Sequence, residues 1–422
     1  MRLPIRTGVT AAVAAAVVLI GTLAVGDVAS ASAAAGPTLS TPPAGAFYQP
    51  PTPLPAAPAG TVIRSEPVNY TGGTSGVTAT RVMYLSEDRN NQPMPVTGTI
   101  LVPNTPWTGS GARPIVGYAP MTAGLGPQCT VSETITGQGS PDMVVQGQEL
   151  YINDLLAKGF AVAQTDYQGA GTPGPSTYLI RVPEAHAVLD AVRAAQRLSG
   201  SGLTTDGQVG ITGYSQGGGA VAAAAELAPS YAPDLKLVGV APGAPPADTL
   251  QAAQAISGNT GTGLMGFALI GVNQAYPQLN VLSRLNTQGL NAMRSLENDC
   301  VVQATMAYLF TSTSSWTTDG KTIPQEIQGN PDLLAAAKEQ VIGNIRPAAP
   351  EFVESAINDD VVAHSVVTTM VNKWCSLGAT VQYKSFYAYG LVTHAAAAQT
   401  TAPDTANWFA GRFAGTPAKS TC

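Results

Sequence analysis

The chain has 422 residues, 11% of them charged, and a formal net charge of -6. An acidic balance without Lys/Arg runs excludes nucleic acid as an expected partner, and so few charges leave room for a partly apolar surface. The length suffices for one large core plus an insertion, or for two domains.

The chain begins with the basic MRLPIR, continues through the apolar residues 10–25 and ends this opening with the small residues DVASASAAAG. That order reads as a cleaved secretory signal peptide over 1–35, with cleavage near Ala33 or Ala35, and not as a transmembrane anchor. A secreted, extracellular mature protein is therefore expected. Residues 36–60 are proline-rich and predict an extended arm that lies along a surface or stays mobile. Next come TVIRSEPV (61–68), TRVMYLSE (80–87) and PVTGTILVP (95–103), β-rich runs broken by Gly, Asn and Pro, which predict an antiparallel start to a sheet.

The pattern then changes. Short strands are expected at 114–120, 159–166, 207–213 and 235–242, separated by helical stretches. One such helix carries Ala185, Val188, Leu189, Val192 and Ala195 at helical spacing after Pro183. Strand, helix and strand in repetition predict an α/β fold with a mostly parallel sheet covered on both faces. Residues 247–347 hold helix-like pieces without strand alternation and read as a helical cap inserted into a core made of 61–246 and 348–422. Within the cap, LMGFALIG (264–271) suits an acyl pocket wall, a lid helix or plain cap core. Sheet patterning resumes at EFVESAIN (351–358) and VQYKSFYAY (381–389), around the helix SVVTTMVNKW.

Cys129, Cys300, Cys375 and Cys422 lack C-x-x-C spacing, and an even count in an exported chain predicts two disulfides whose pairing the spacing leaves open. Scattered histidines and no H-E-x-x-H argue against zinc. GAGTPG (169–174) and GTGLMG (261–266) match G-x-G-x-x-G, but the first contains Pro173 and opens no helix, and the second follows no strand. Neither predicts a dinucleotide site.

GYSQGGGA (213–220) is different. Val209 and Ile211 mark a strand, Ser215 follows in a Gly-x-Ser-x-Gly turn, and a helix-forming run comes after it. This context presents a serine hydroxyl at the carboxyl edge of the sheet, as a nucleophile for acyl transfer. Such a serine needs a histidine base and an orienting acid, in the chain order Ser, acid, His. That order excludes His186, which is read as facing Asp190 one turn on, and Asp166, which precedes the serine. His394, after the last strand, is the expected base, with His364 the alternative. Asp359 and Asp360 both leave the strand at 351–358 and either suits the acid, Asp359 coming first; the competing role is a helix cap. Two backbone N–H groups must hold the oxyanion. Gln216 supplies one, and the loop APMTAGLG (119–126) the other, from Met121, Thr122 or Ala123, with Thr122 preferred. This chemistry requires no metal or organic cofactor.

These pieces, with TDYQGAGTPG, LDAVRAAQ, the WCSLGATVQY block and the terminal WFAGRFAG, resemble the secretory lipase family, lipase-A-like α/β-hydrolases, over essentially the whole mature chain. The resemblance implies Ser215, Asp359 and His394 as the triad, 247–347 as the cap over the acyl-binding site, and the pairs Cys129–Cys300 and Cys375–Cys422. It also implies a secreted carboxylic-ester hydrolase, a triacylglycerol lipase, with a lipid ester as partner and transient contact with a lipid–water interface. A short-chain or polymeric esterase and a catalytically silent binding protein are the rival readings. Two departures stand out. Relatives usually carry His-Gly-Thr-x-Gly where this chain has Pro120-Met121-Thr122-Ala123-Gly124. They carry Asp-Glu-x-Val-Pro-Tyr where it has residues 359–364, DDVVAH, which offers Asp359 a second histidine, His364.

Overall fold

A computed structural model describes residues 38–140 and 143–422, so the expected signal peptide lies outside the described residues. The strands are β1 (Val62–Val68), β2 (Val77–Glu87), β3 (Pro93–Pro103), β4 (Ile115–Ala119), β5 (Ala161–Thr165), β6 (Val209–Tyr214), β7 (Leu237–Gly243), β8 (Glu351–Ala356) and β9 (Val381–Phe386). They form one nine-stranded sheet in the order β1-β2-β3-β5-β4-β6-β7-β8-β9. The β1–β2, β2–β3 and β3–β5 pairs are antiparallel. From β5 to β9 every pair is parallel, as the repeated strand–helix pattern predicts.

The helices before the cap are α1 (Val131–Thr134), α2 (Met143–Ala157), α3 (Arg181–Arg197) and α4 (Gln216–Tyr231). After it come α11 (His364–Ser376) and α12 (Thr393–Phe413). Successive strand residues feed opposite faces. Ile115, Ile211, Val240 and Val353 pack with α3, α4 and α11, whereas Val116, Tyr118, Ala241 and Phe352 pack with α2 and α12. Central strands β4, β5, β6 and β8 are buried along their whole length; β4 reads as an apolar run, whereas β8 buries Glu351, Glu354 and Ser355 as well.

Between β7 and β8 the chain forms α5 (Thr249–Ile256), α6 (Thr262–Ala275), α7 (Thr287–Leu296), α8 (Val301–Ala307), α9 (Ile323–Gly329) and α10 (Pro331–Glu339). This segment has its own apolar centre, with Phe267, Met293, Leu296 and Trp316 fully buried. Burying side chains of that size contributes roughly 1.5–3 kcal/mol each. The Cys129–Cys300 disulfide ties the loop after β4 to the start of α8, and Cys375–Cys422 ties α11 to the chain end.

The proline-rich arm packs on the body where it is described. Tyr48 is fully buried with its hydroxyl on Ser132 Oγ, and Gly60 N–H donates to the Leu85 carbonyl. His186 departs from the expected pairing. Its Nδ1 lies 3.0 Å from the Glu87 carbonyl and its ring stacks on Tyr231, while Asp190 accepts from Ser86, Tyr231 and Arg193. Helical spacing put His186 and Asp190 on one face; the neighbouring elements decided what each would meet.

Candidate active site

Three backbones converge where β6 turns into α4. A Cβ on Gly217 would stand 2.0 Å from the Ala119 carbonyl oxygen, and one on Gly213 would stand 2.4 Å from the same atom. Glycine at both positions is therefore a steric requirement of the turn. Between them Ser215 adopts φ 57°, ψ -120°, a conformation side chains rarely take. Its N–H donates to the Gly243 carbonyl at 2.9 Å, and its hydroxyl stands at the N-terminus of α4, where the helix dipole favours negative charge.

Ser215 Oγ lies 2.8 Å from His394 Nε2, and His394 Nδ1 lies 2.7 and 2.9 Å from the two carboxylate oxygens of Asp359. The Asp359 side chain is wholly buried, and its Oδ1 also accepts from the Val361 and Val362 N–H groups. Asp360 takes another part. Its Oδ1 accepts from His394 N–H at 2.8 Å and from the Thr393 hydroxyl, so it grips the first turn of α12. Neither aspartate caps α11, whose N-cap is Ala363. The expected loop around His394 is instead the start of α12, a helix that the small residues after it sustain. His364 Nε2 pairs with Ser385 Oγ and Tyr383 OH, both at 2.9 Å, and not with Asp359.

The oxyanion-loop residues differ in what their backbone is free to do. Met121 N–H is committed to Gln148 Oε1 at 2.8 Å, and the Met121 carbonyl accepts from Gln148 Nε2. A donor held by a buried amide is not available to an oxyanion, which leaves Thr122 and Ala123. The Thr122 hydroxyl is 2.8 Å from Tyr178 OH, and Tyr167 OH donates to the Pro120 carbonyl, so the loop is fixed from two sides. Gln216 heads α4, where its N–H has no carbonyl of its own helix to meet.

Sequence reasoning missed several supporting groups. Tyr214 OH donates to the His394 carbonyl and its ring lies 5.0 Å from the imidazole. Gln148 was also unread, and Asp360 was weighed only as the acid and not as an acceptor for the His394 N–H, because their partners are distant in the chain. The buried Glu184 has one oxygen that accepts from Gln216 Nε2 at 2.6 Å and from Leu179 N–H at 2.9 Å, joining the residue after Ser215 to a residue at φ 59°. Burial pushes its carboxyl up to about 8. The protonated form is thus favoured on folding, giving stability that is full below the unfolded carboxyl range and is lost as pH rises through about 8. Thermal unfolding of Glu184→Gln beside wild type from pH 5 to pH 9 should show the variant gaining relative stability with pH, on the order of a few kcal/mol in all. A pH-independent difference would mean that Glu184 stays ionised.

Ser215 lines an apolar cavity of about 1240 Å³, counting the part open to solvent, whose walls come largely from the helical segment between β7 and β8. Ser215 and Gln216 line it together with Leu264, Met265, Ala268, Leu269 and Val272 of α6. In the segment 264–271 one face lines this cavity, while Phe267 on the other packs against Tyr178 in a buried apolar cluster. Among the described residues no helix is long and apolar enough to cross a membrane, and no group of three or more His, Cys, Asp or Glu is placed to hold a metal.

Similarity to known proteins agrees with this geometry. A probable inactive lipase of Mycobacterium tuberculosis is 26% identical over 378 residues, 88% of this chain and 82% of that protein. A secreted triacylglycerol lipase of Malassezia furfur is 25% identical over 352 residues, 81% of this chain and 70% of that one. Among solved structures, Candida antarctica lipase A in its closed state superposes with a TM-score of 0.78 at 23% identity, covering 90% of this chain and 87% of that chain, which shows the α/β-hydrolase fold. The secretory lipase family model matches residues 138–421, from α2 through the serine turn, the cap and α12. With more than half of its length so matched, the chain belongs to the secretory lipase family.

Proposed function

We propose that the protein is an exported serine hydrolase that cleaves carboxylic esters of lipids, triacylglycerols in particular, through an acyl-enzyme. The observation that carries this reading is the hydrogen-bonded chain Ser215–His394–Asp359, with Ser215 in the lining of an apolar cavity. Asp359 accepts the Nδ1 proton of His394, so Nε2 is left as the acceptor for the Ser215 hydroxyl proton. Ser215 Oγ then attacks the ester carbonyl. Gln216 N–H and a donor from Thr122 or Ala123, with Thr122 preferred, hold the oxyanion, each such donor being worth about 3 kcal/mol in a transition state. The imidazolium returns its proton to the leaving alcohol, and a water activated by the same nitrogen releases the fatty acid.

The cavity walls supply an apolar bed for an acyl chain, which favours the lipase reading over a short-chain esterase. The M. tuberculosis relative keeps the silent-protein reading in view, and the bonded state of Ser215 favours activity. Export is supported by the basic, apolar and small-residue order of the first 35 residues and by the two disulfides. A substrate pooled in a separate phase implies contact with a lipid–water interface.

Initial rates on butyrate and oleate esters, below and above their solubility limits, test the proposal. Long-chain turnover that rises once substrate forms a separate phase is the expected result; a steep fall with acyl length overturns the lipase reading. Filling the cavity with Ala268→Phe should lower the oleate-to-butyrate rate ratio about tenfold. An unchanged ratio would place the acyl chain elsewhere.

A further inference from the structure

Between β9 and α12 the loop YAYGLV (387–392) turns four large apolar side chains to the surface, while Ala388 is buried. Tyr387 is 60% exposed, Tyr389 88%, Leu391 104% and Val392 51%. Four large apolar side chains in one short loop make a feature that folding alone disfavours, since none adds to the core. None lines the cavity, and among the described residues neither tyrosine hydroxyl meets a protein partner.

The loop is nonetheless held at both ends. The Asn358 side chain clasps Ala388 in both directions, donating to its carbonyl at 2.9 Å and accepting from its N–H at 3.0 Å. At the far end the Thr393 hydroxyl donates to the Asn358 carbonyl, and His394 N–H donates to Asp360. Ile357, 41% exposed, extends the patch, as its N–H donates to the Phe386 carbonyl beside Tyr387. The apolar tip thus projects from a loop whose two ends are tied to the segments that carry the triad's acid and base. Leu391 is three residues from His394, at most about 11 Å along the chain.

Charge selects the occupant. Residues 385–399 contain no Asp, Glu, Lys or Arg, and the cation nearest in the chain, Lys384, is engaged by Glu354 and Asp404. A net charge of -6 with no free basic group at the tip suits an uncharged lipid surface and opposes an anionic bilayer. Tyrosines with an apolar ring and an outward hydroxyl match the boundary between oil and water.

We propose that Tyr387, Tyr389, Leu391 and Val392 form the surface by which this protein seats on an uncharged ester-lipid phase, bringing the mouth of the active site to the interface. The proposal rests on the lipid-ester reading and adds where the contact is made. Adsorption is measured with full-length protein in a Ser215→Ala background, so that no turnover alters the surface, on triolein emulsions stabilised by phosphatidylcholine. Tyr389→Ser/Leu391→Ser is expected to lower the bound-to-free ratio about tenfold or more, in line with the apolar area withdrawn. With Ser215 present, the same pair should leave the rate on a dissolved butyrate ester within about twofold. Leu391→Trp should shift its emission to the blue on the emulsion. Unchanged adsorption, an equal loss on the dissolved ester, a loss reproduced instead by Met306→Ser/Phe310→Ser on the cap, or binding that requires phosphatidylserine each overturns the proposal. Failure of wild type on the dissolved ester would instead count against the hydrolase reading, since adsorption is read without turnover.

Discussion

Ser215→Ala lowers kcat for ester hydrolysis by about a millionfold while leaving the protein folded. The substitution removes only Oγ, the single atom placed 2.8 Å from His394 Nε2, and keeps the Cβ that already tolerates φ 57°. The glycine contacts that shape the turn, at Gly213 and Gly217, are untouched. His394→Ala should cost about as much, and the double variant little more, because nucleophile and base act as one unit. The residual rate, about a thousandfold over water, belongs to the oxyanion donors and the cavity. Single-turnover kinetics and labelling with an activated phosphonate check this: wild type takes up one equivalent and the variant none. Retention of more than a few per cent of the rate by Ser215→Ala would remove Ser215 from the role of nucleophile.

The second large effect separates two adjacent carboxylates. Asp359→Asn should lower kcat about ten-thousandfold with little change in stability, since an amide of the same shape stabilises the wrong imidazole tautomer. In the structure both Asp359 oxygens face His394 Nδ1, while Oδ1 also receives two backbone N–H groups that an amide oxygen can still accept. Asp360→Ala should behave otherwise. It removes an acceptor from the first turn of α12, which costs about 1–2 kcal/mol of stability and less than about a hundredfold in kcat. Paired kcat and thermal-unfolding measurements decide between them; a larger catalytic loss for Asp360→Ala than for Asp359→Asn would reverse the assignment.

Much of the frame was legible because it is locally encoded. The antiparallel runs before residue 104 and the apolar β4 to β7 segments were recognisable from period and burial, and the sheet places them in β1 to β7. The helix with Ala185, Val188 and Leu189 lies within α3. Partnerships across the chain were less legible. His186 was matched with Asp190 from helical spacing, yet Glu87 and Tyr231 stand nearer once β2 and α4 pack against α3. Glu184 gave no signal that it would meet Gln216, because the two belong to different helices brought together by burial. Nor could spacing tell that Gln148 would take the Met121 N–H, a detail that narrows the oxyanion donor to Thr122 or Ala123.

What the sequence determined alone was a parallel α/β sheet interrupted by a helical segment, and a strand–serine–helix turn flanked by glycines. Those are consequences of neighbours within a few residues: alternation, turn chemistry and helix propensity. Local patterns left open which aspartate faces His394 and which cysteines pair, matters that only the family resemblance implied, and the tertiary structure decided both, together with which N–H groups remain open. Ser215 and His394 are 179 positions apart, and Asp359 and His394 are 35 apart. Their meeting depends on β6, β8 and β9 ending at one edge of a common sheet, a fact of long-range packing that no local pattern contains.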